Sequence, residues 1–177
     1  MRGLTQRDVL MLIDSNLYPY IELVVDNAYI CKSMDLIKSA KSEIILSTFK
    51  IQTGRNKRTE VLRDMIQLLN DKLKDGLKVM LLLNWMKNFK GVARTNKPVA
   101  NALRAFGADV RYLKDGRCCH SKLLLIDKSK FIIGSHNWSA ASLQENYEMS
   151  LFITSIKMAE VLRDKFLQTF GDGERWL

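Results

Sequence analysis

Apolar and polar positions along the chain switch repeatedly between alternating and three-to-four-residue spacing, which predicts strands interleaved with helices. Residues 21–25 and 28–30 read as short strands joined by the turn pair Asp26-Asn27. Residues 32–41 carry Met34, Ile37 and Ala40 at helical spacing, and residues 43–51 predict a strand followed by a polar loop over 52–57. Residues 58–74 place Val61, Leu62, Met65, Ile66, Leu68, Leu69 and Leu73 on one side of a long helix. A buried strand over 77–84, ending at Trp85, precedes a helix over 98–106 that Pro98 opens, and 108–113 is a further strand. Residues 121–127 and 131–134 resemble a hairpin with Lys128-Ser129-Lys130 at its turn. A strand over 148–154 and a helix over 156–170 close the chain; Gly171 lies just past that helix, and Met158, Val161, Leu162, Phe166 and Phe170 form its core stripe. This order predicts an α/β fold, a mixed β-sheet flanked by helices.

The 177 residues are 47% hydrophobic and 27% charged, enough for one domain with a substantial core and incompatible with disorder or a disulfide-stapled miniprotein. No linker-like stretch or repeat divides the chain. Residues 1–20 read as an N-terminal extension and 21–177 as the domain. The early apolar run, residues 9–13, is broken by Asp14 and is too short for a signal peptide or a membrane span. Three cysteines, two of them adjacent, make no disulfide framework, so the reading is a cytoplasmic protein without stable membrane insertion.

The net charge of +9 points to a polyanionic partner, nucleic acid before anionic membrane. The surplus is concentrated. Lys50, Arg55, Lys57 and Arg58 occupy one segment without an acid, and Lys87, Lys90, Arg94 and Lys97 occupy another. Residues 111–130, which include Arg117, also net +4, leaving −3 for the remainder. Basic loops after strands are phosphate-contacting walls in α/β folds, where sites form at strand ends. Trp85 and Phe89 flank Lys87 and are candidates for base stacking, although Trp85, at the end of a buried strand, reads first as core.

The chemistry-bearing stretch is His120-Ser121-Lys122 through Asp127, then Gly134-Ser135-His136-Asn137. On a strand, His120 and Lys122 share a face, whereas Asp127 falls on the other and reads as a brace. The chain's return after Gly134-Ser135 brings Asn137 towards the pair. An imidazole, a cation and an amide donor around one point suit a phosphodiester: the imidazole attacks phosphorus while the others neutralise its oxygens. No carboxylate cluster fit for magnesium stands near them. His136 is the rival imidazole, but its side chain should alternate away from Asn137. Cys118-Cys119-His120 lacks the spacing of a zinc site.

The residues read H-x-K-x4-D-x6-G-S-x-N without a gap, with Glu148 eleven positions after Asn137. This resembles the phospholipase D superfamily, and the similarity runs from about residue 21 onward. The resemblance implies a covalent phosphohistidine, a second histidine protonating the leaving group, hydrolysis by water, and neither metal nor cofactor. One motif copy in the chain is similar to the small nucleases of the superfamily, which build one site across a homodimer's two-fold axis. By that resemblance His120 is nucleophile in one subunit and general acid in the other, and Lys122 and Asn137 hold the phosphate. Glu148 orients the imidazole, Ser135 adds a hydroxyl, and Asp127 is the motif's aspartate. The expected substrate is the nucleic-acid backbone. Competing expectations are a phospholipase or phosphatidyltransferase and a non-catalytic nucleic-acid-binding module.

Overall fold

The computed structural model describes residues 19–85, 90–113 and 116–175. Its centre is an eight-stranded sheet in the order β1-β7-β6-β5-β2-β3-β4-β8. The strands are β1 (Tyr20–Val25), β2 (Glu43–Thr48), β3 (Lys78–Leu83), β4 (Asp109–Tyr112), β5 (Leu123–Ile126), β6 (Lys130–Gly134), β7 (Met149–Thr154) and β8 (Glu174–Arg175). β2, β3 and β4 run parallel, and the remaining pairings are antiparallel. The fold is therefore the mixed α/β sheet that the pattern predicts.

Helices α1 (Ala28–Ser39), α2 (Glu60–Lys74) and α3 (Lys90–Ala105) cover one face. There Ile37, Leu62, Met65, Leu69, Val99 and Leu103 pack onto Ile44, Leu46, Leu81, Leu83 and Leu124. Helix α5 (Ile156–Gly171) covers the other face, setting Ala159, Phe166 and Phe170 against Ile45, Met80, Leu125, Phe131 and Ile153. Every residue of β2 is buried, as expected for a central strand with helices on both faces. The carboxylate of its first residue, Glu43, accepts from Nε and Nη2 on one edge of the Arg163 guanidinium, which ties α5 to the sheet.

Several expectations are corrected. Residues 28–30 are not a strand but the first turn of α1: Tyr29 N–H bonds to Asp26 O at 3.2 Å, and the Tyr29 ring is buried in stacked contact with His136. Long-range packing overrides the strand propensity of the Tyr-Ile pair here. Pro98 sits inside α3 rather than at its start. It is exposed, so the Arg94 carbonyl it cannot bond lies on the solvent side, and the helix continues. On α5, Met158 (41%) and Val161 (63%) are exposed, because the helix meets the sheet through Ala159 and its second half. The short helix α4 (Ala140–Gln144) and β8 have no counterpart in the sequence reading.

Candidate active site

The ends of β2, β3 and β6 and the starts of β5 and β7 meet at one edge of the sheet, where the motif residues gather. His120 and Lys122 lie just before the β5 ladder rather than within it, yet the strand alternation persists. Cys119 and Ser121 turn inward to Ser47, and His120 and Lys122 turn to the other side. The Lys122 ammonium lies 3.0 and 3.3 Å from the two His120 ring nitrogens and donates to the His120 carbonyl at 2.6 Å. Phe49, just past β2, packs its ring 5.0 Å from the His120 ring and 5.7 Å from the Lys122 ammonium. Burial pulls the Lys122 ammonium below the ordinary lysine value; Cys119, Cys118 and the Glu148 carboxylate oppose that pull.

Asn137 is pinned by its surroundings. Its Oδ1 accepts from Lys50 N–H at 3.2 Å, and its own N–H donates to Ser142 Oγ at 2.8 Å. With the carbonyl side engaged, the amide NH₂ is left to donate to a ligand. Ser142, on α4, also donates to Glu148 Oε1 at 2.8 Å, so one buried hydroxyl joins the Asn137 backbone to the carboxylate. Ser135 Oγ donates to Glu148 Oε2, and Asn146 Nδ2 donates to Oε1 at 3.1 Å. Burial pushes the Glu148 carboxyl up, but the bonds from Ser135, Asn146 and Ser142 outweigh it and hold the group below the usual glutamate value. Asp26 fixes the backbone of Glu148 from both sides: its N–H donates to Glu148 O at 3.0 Å, and its Oδ1 accepts from Glu148 N–H at 2.8 Å.

Within one chain Glu148 does not reach His120. The carboxylate's partners are Ser135, Ser142 and Asn146, and the imidazole's are Lys122 and Phe49. His136, the rival imidazole, is 1% exposed and stacks on Tyr29 at 4.4 Å. Its Nε2 lies 3.0 Å from the Asp26 carbonyl, which only accepts, so Nδ1 accepts from Ser150 Oγ at 2.7 Å. Burial lowers its pKa and keeps it neutral.

Asp127 lies beyond the far end of β5, about 17 Å of strand from Lys122. Its carboxylate accepts from the backbone N–H groups of Lys41, Ser42 and Glu43 at 2.8–2.9 Å and from the Ser42 hydroxyl. These bonds fix the start of β2. Asp127→Ala is expected to cost about 2–3 kcal/mol, because only the more exposed donors regain water. The corresponding Tm decrease in calorimetry is about 4–12 °C. Burial alone would raise this carboxyl, but the bonds from Glu43, Lys41 and Ser42 hold it below the ordinary value of 3.8. Its stabilisation is thus complete above about pH 4 and is lost as pH falls through the lowered value. The stability gap between wild type and Asp127→Asn should close over that range in denaturant titrations.

Ser142, Asp26 and Phe49 are site neighbours that the sequence reading did not single out; none stands at a motif offset. Ser142→Ala removes the shared hydroxyl and leaves a buried N–H and carboxylate oxygen short of partners. A decrease in kcat of about 10- to 100-fold is expected, measured by steady-state kinetics.

The basic residues divide. Arg55 and Lys57 are exposed, Lys50 is half-buried, and Arg58 is ion-paired with Glu145. Lys90, Arg94 and Lys97 lie along the exposed side of α3, Arg117 is exposed before Cys118, and Lys87 lies outside the described residues. Trp85 is 38% exposed rather than core. Among the described residues no group of three or more His, Cys, Asp or Glu side chains is placed to hold a metal ion. None of their helices is long and apolar enough to cross a membrane.

Among curated proteins none matches the sequence at a significant level. Solved structures are similar in fold. Nuc from Salmonella typhimurium, a phospholipase D family member, superposes with a TM-score of 0.76 at 18% identity, covering 90% of this chain and 99% of that one. NucT from Helicobacter pylori gives 0.72 at 17% identity over 90% and 100%. TrmBL2, an archaeal chromatin protein with a novel mode of DNA binding, gives 0.56 at 18% identity over 95% of this chain and 58% of its own. The family model described as cardiolipin synthase, PLD-like domain, matches residues 34–170. That span holds His120, Lys122, Asn137 and Glu148 together with the helices and strands that carry them, and on it the chain belongs to the phospholipase D superfamily.

Proposed function

We propose that the protein is a phosphodiesterase that cleaves nucleic acid through a phosphohistidine on His120, in a site completed by a second copy of the chain. Family membership supports the phosphodiester chemistry. The observation that carries the finer reading is the exposed His120 imidazole beside the Lys122 ammonium, with the Asn137 amide pinned at the same edge. In the reaction His120 attacks phosphorus and the bond to the leaving oxygen breaks. The His120 of the second copy gives that oxygen its proton. The imidazole so freed then takes a proton from water, whose oxygen displaces His120 from phosphorus. Lys122 and Asn137 stabilise the charge that builds on the non-bridging oxygens.

Two observations favour sharing between copies. The only other imidazole, His136, is buried with both nitrogens engaged, so one chain lacks a general acid of this kind. Leu23, Ile133, Met149 and Leu151 also leave an exposed apolar group on the sheet next to Ser135, a surface for the second copy. Glu148, out of reach of its own His120, then orients the imidazole of the other copy. Nucleic acid is favoured by the basic segments and by the DNA binding of TrmBL2 on a related fold. The cardiolipin synthase description of the family model favours a second reading, phosphatidyl transfer or phospholipid cleavage, on the same phosphohistidine.

The test is incubation with labelled DNA and RNA in EDTA, beside phospholipid vesicles. Cleavage of nucleic acid with intact vesicles is expected. Headgroup release with uncut nucleic acid selects the lipid reading, and binding without cleavage selects the non-catalytic one. Loss of activity in EDTA that magnesium restores overturns the histidine mechanism.

A further inference from the structure

Beyond the catalytic residues, the same edge of the sheet carries an aromatic and basic surface. Strand register places it. Leu123 pairs with Ser47, Thr48 with Leu83, and Leu83 with Tyr112. One residue further along stand Phe49 and Asn84, and one beyond those stand Lys50 and Trp85. Trp85 therefore sits two strand spacings, about 10 Å, from the strand that His120 and Lys122 lead into. Its ring is backed by Tyr112, centroids 6.3 Å apart, whose hydroxyl is committed to Glu174 at 2.6 Å.

Two buried amides hold this region rigid. Asn96 of α3 accepts from Ile51 N–H at 2.8 Å and donates to Phe49 O at 3.1 Å and Asn84 O at 3.0 Å. Asn84 Oδ1 accepts from the N–H of Cys119, the residue before His120, at 3.2 Å. Helix α3, Trp85 and the catalytic segment are thus fixed to one another. On the exposed side of α3, Lys90, Arg94 and Lys97 follow at helical spacing, within an arc of about 60°.

We propose that this surface is the track of a single-stranded polynucleotide, with one base stacked on Trp85 and neighbouring phosphates on Lys90, Arg94 and Lys97. The proposal rests on the nuclease reading and names its substrate class. A base presents its face to an indole only when it is outside a double helix, and stacking on aromatics beside a cationic groove is how unpaired strands are held. The ring accepts any base, so sequence preference is weak. DNA and RNA share this chemistry.

Binding of labelled single-stranded DNA, single-stranded RNA and duplex DNA is measured by anisotropy in the His120→Ala background, with and without Trp85→Ala or Trp85→Phe. Trp85→Ala is expected to weaken single-strand binding about 5- to 150-fold and leave duplex binding unchanged. Trp85→Phe keeps a stacking face and most of the affinity. Neutralising Lys90, Arg94 and Lys97 together should reduce the salt slope by about 2. Equal binding by Trp85→Ala and wild type, or equal losses on duplex and single strand, overturns the track. If wild-type protein still cleaves nucleic acid in that case, the nuclease reading stands alone. A wild type that cleaves no nucleic acid, with single-strand binding still dependent on Trp85, overturns the nuclease reading and keeps the track.

Discussion

Replacing His120 with alanine is expected to lower cleavage by about 10⁴-fold or more, as loss of a covalent nucleophile does elsewhere. The ring is exposed, and its polar and ring partners among the described residues are Lys122 and Phe49, so thermal unfolding should change little. The sharper measurement is a mixture. If one site needs an imidazole from each of two copies, a dimer with one altered copy is as inactive as a dimer with two. Activity in randomly assembled mixtures then falls as the square of the wild-type fraction. A linear fall, or an active monomer in sedimentation, overturns the shared site and demands a proton donor from within one chain.

Gly134→Ala is expected to give the largest loss of stability of any change at the motif. A Cβ at this position would lie 2.3 Å from Ser150 Oγ, 2.4 Å from Ser150 Cα and 2.5 Å from Met149 O, and two of these atoms belong to the neighbouring strand's backbone. The strand cannot retreat without breaking the β6–β7 ladder, so the cost exceeds ordinary overpacking, at about 3 kcal/mol or more. The Tm should fall by about 6–12 °C or the protein should fail to accumulate. Unchanged melting would show that β7 can move aside. The glycine's place in G-S-x-N thus has a local cause: Ser150 must come close to the turn to bond His136, and a side chain on residue 134 would occupy that space.

The sequence made the central strands legible because their apolar runs are continuous, and made α2 legible because seven apolar residues recur on one side. It misread Tyr29 and Ile30, whose helical state depends on a stack with a residue more than a hundred positions later. It misread Pro98, whose position is tolerated only because its side of α3 faces water. At the site, the motif spacing singled out His120, Lys122 and Asn137, which lie at one end of the sheet; Asp127 is separated from them by the length of β5 and a left-handed turn at its end, not by strand alternation. The contacts of Glu148 were not legible. Its partners Ser142 and Asn146 come from a five-residue helix and a turn without a period to betray them, and Asp26 comes from just past β1, the edge strand paired with β7.

That edge strand has a mechanical consequence. Asp26 adopts a left-handed backbone, φ 47°, at the end of β1, and there it grips Glu148 by both peptide groups. The recognised family span begins only at residue 34, so a chain trimmed to it would keep every motif position and lose the clasp that seats the carboxylate. Among the described strands β1 pairs with β7 only, with Lys32 of α1 ion-paired to its Glu22, and a pull on the residues ahead of Tyr20 would travel along that ladder to the catalytic edge. The outermost strand is in this sense a handle on the reaction centre.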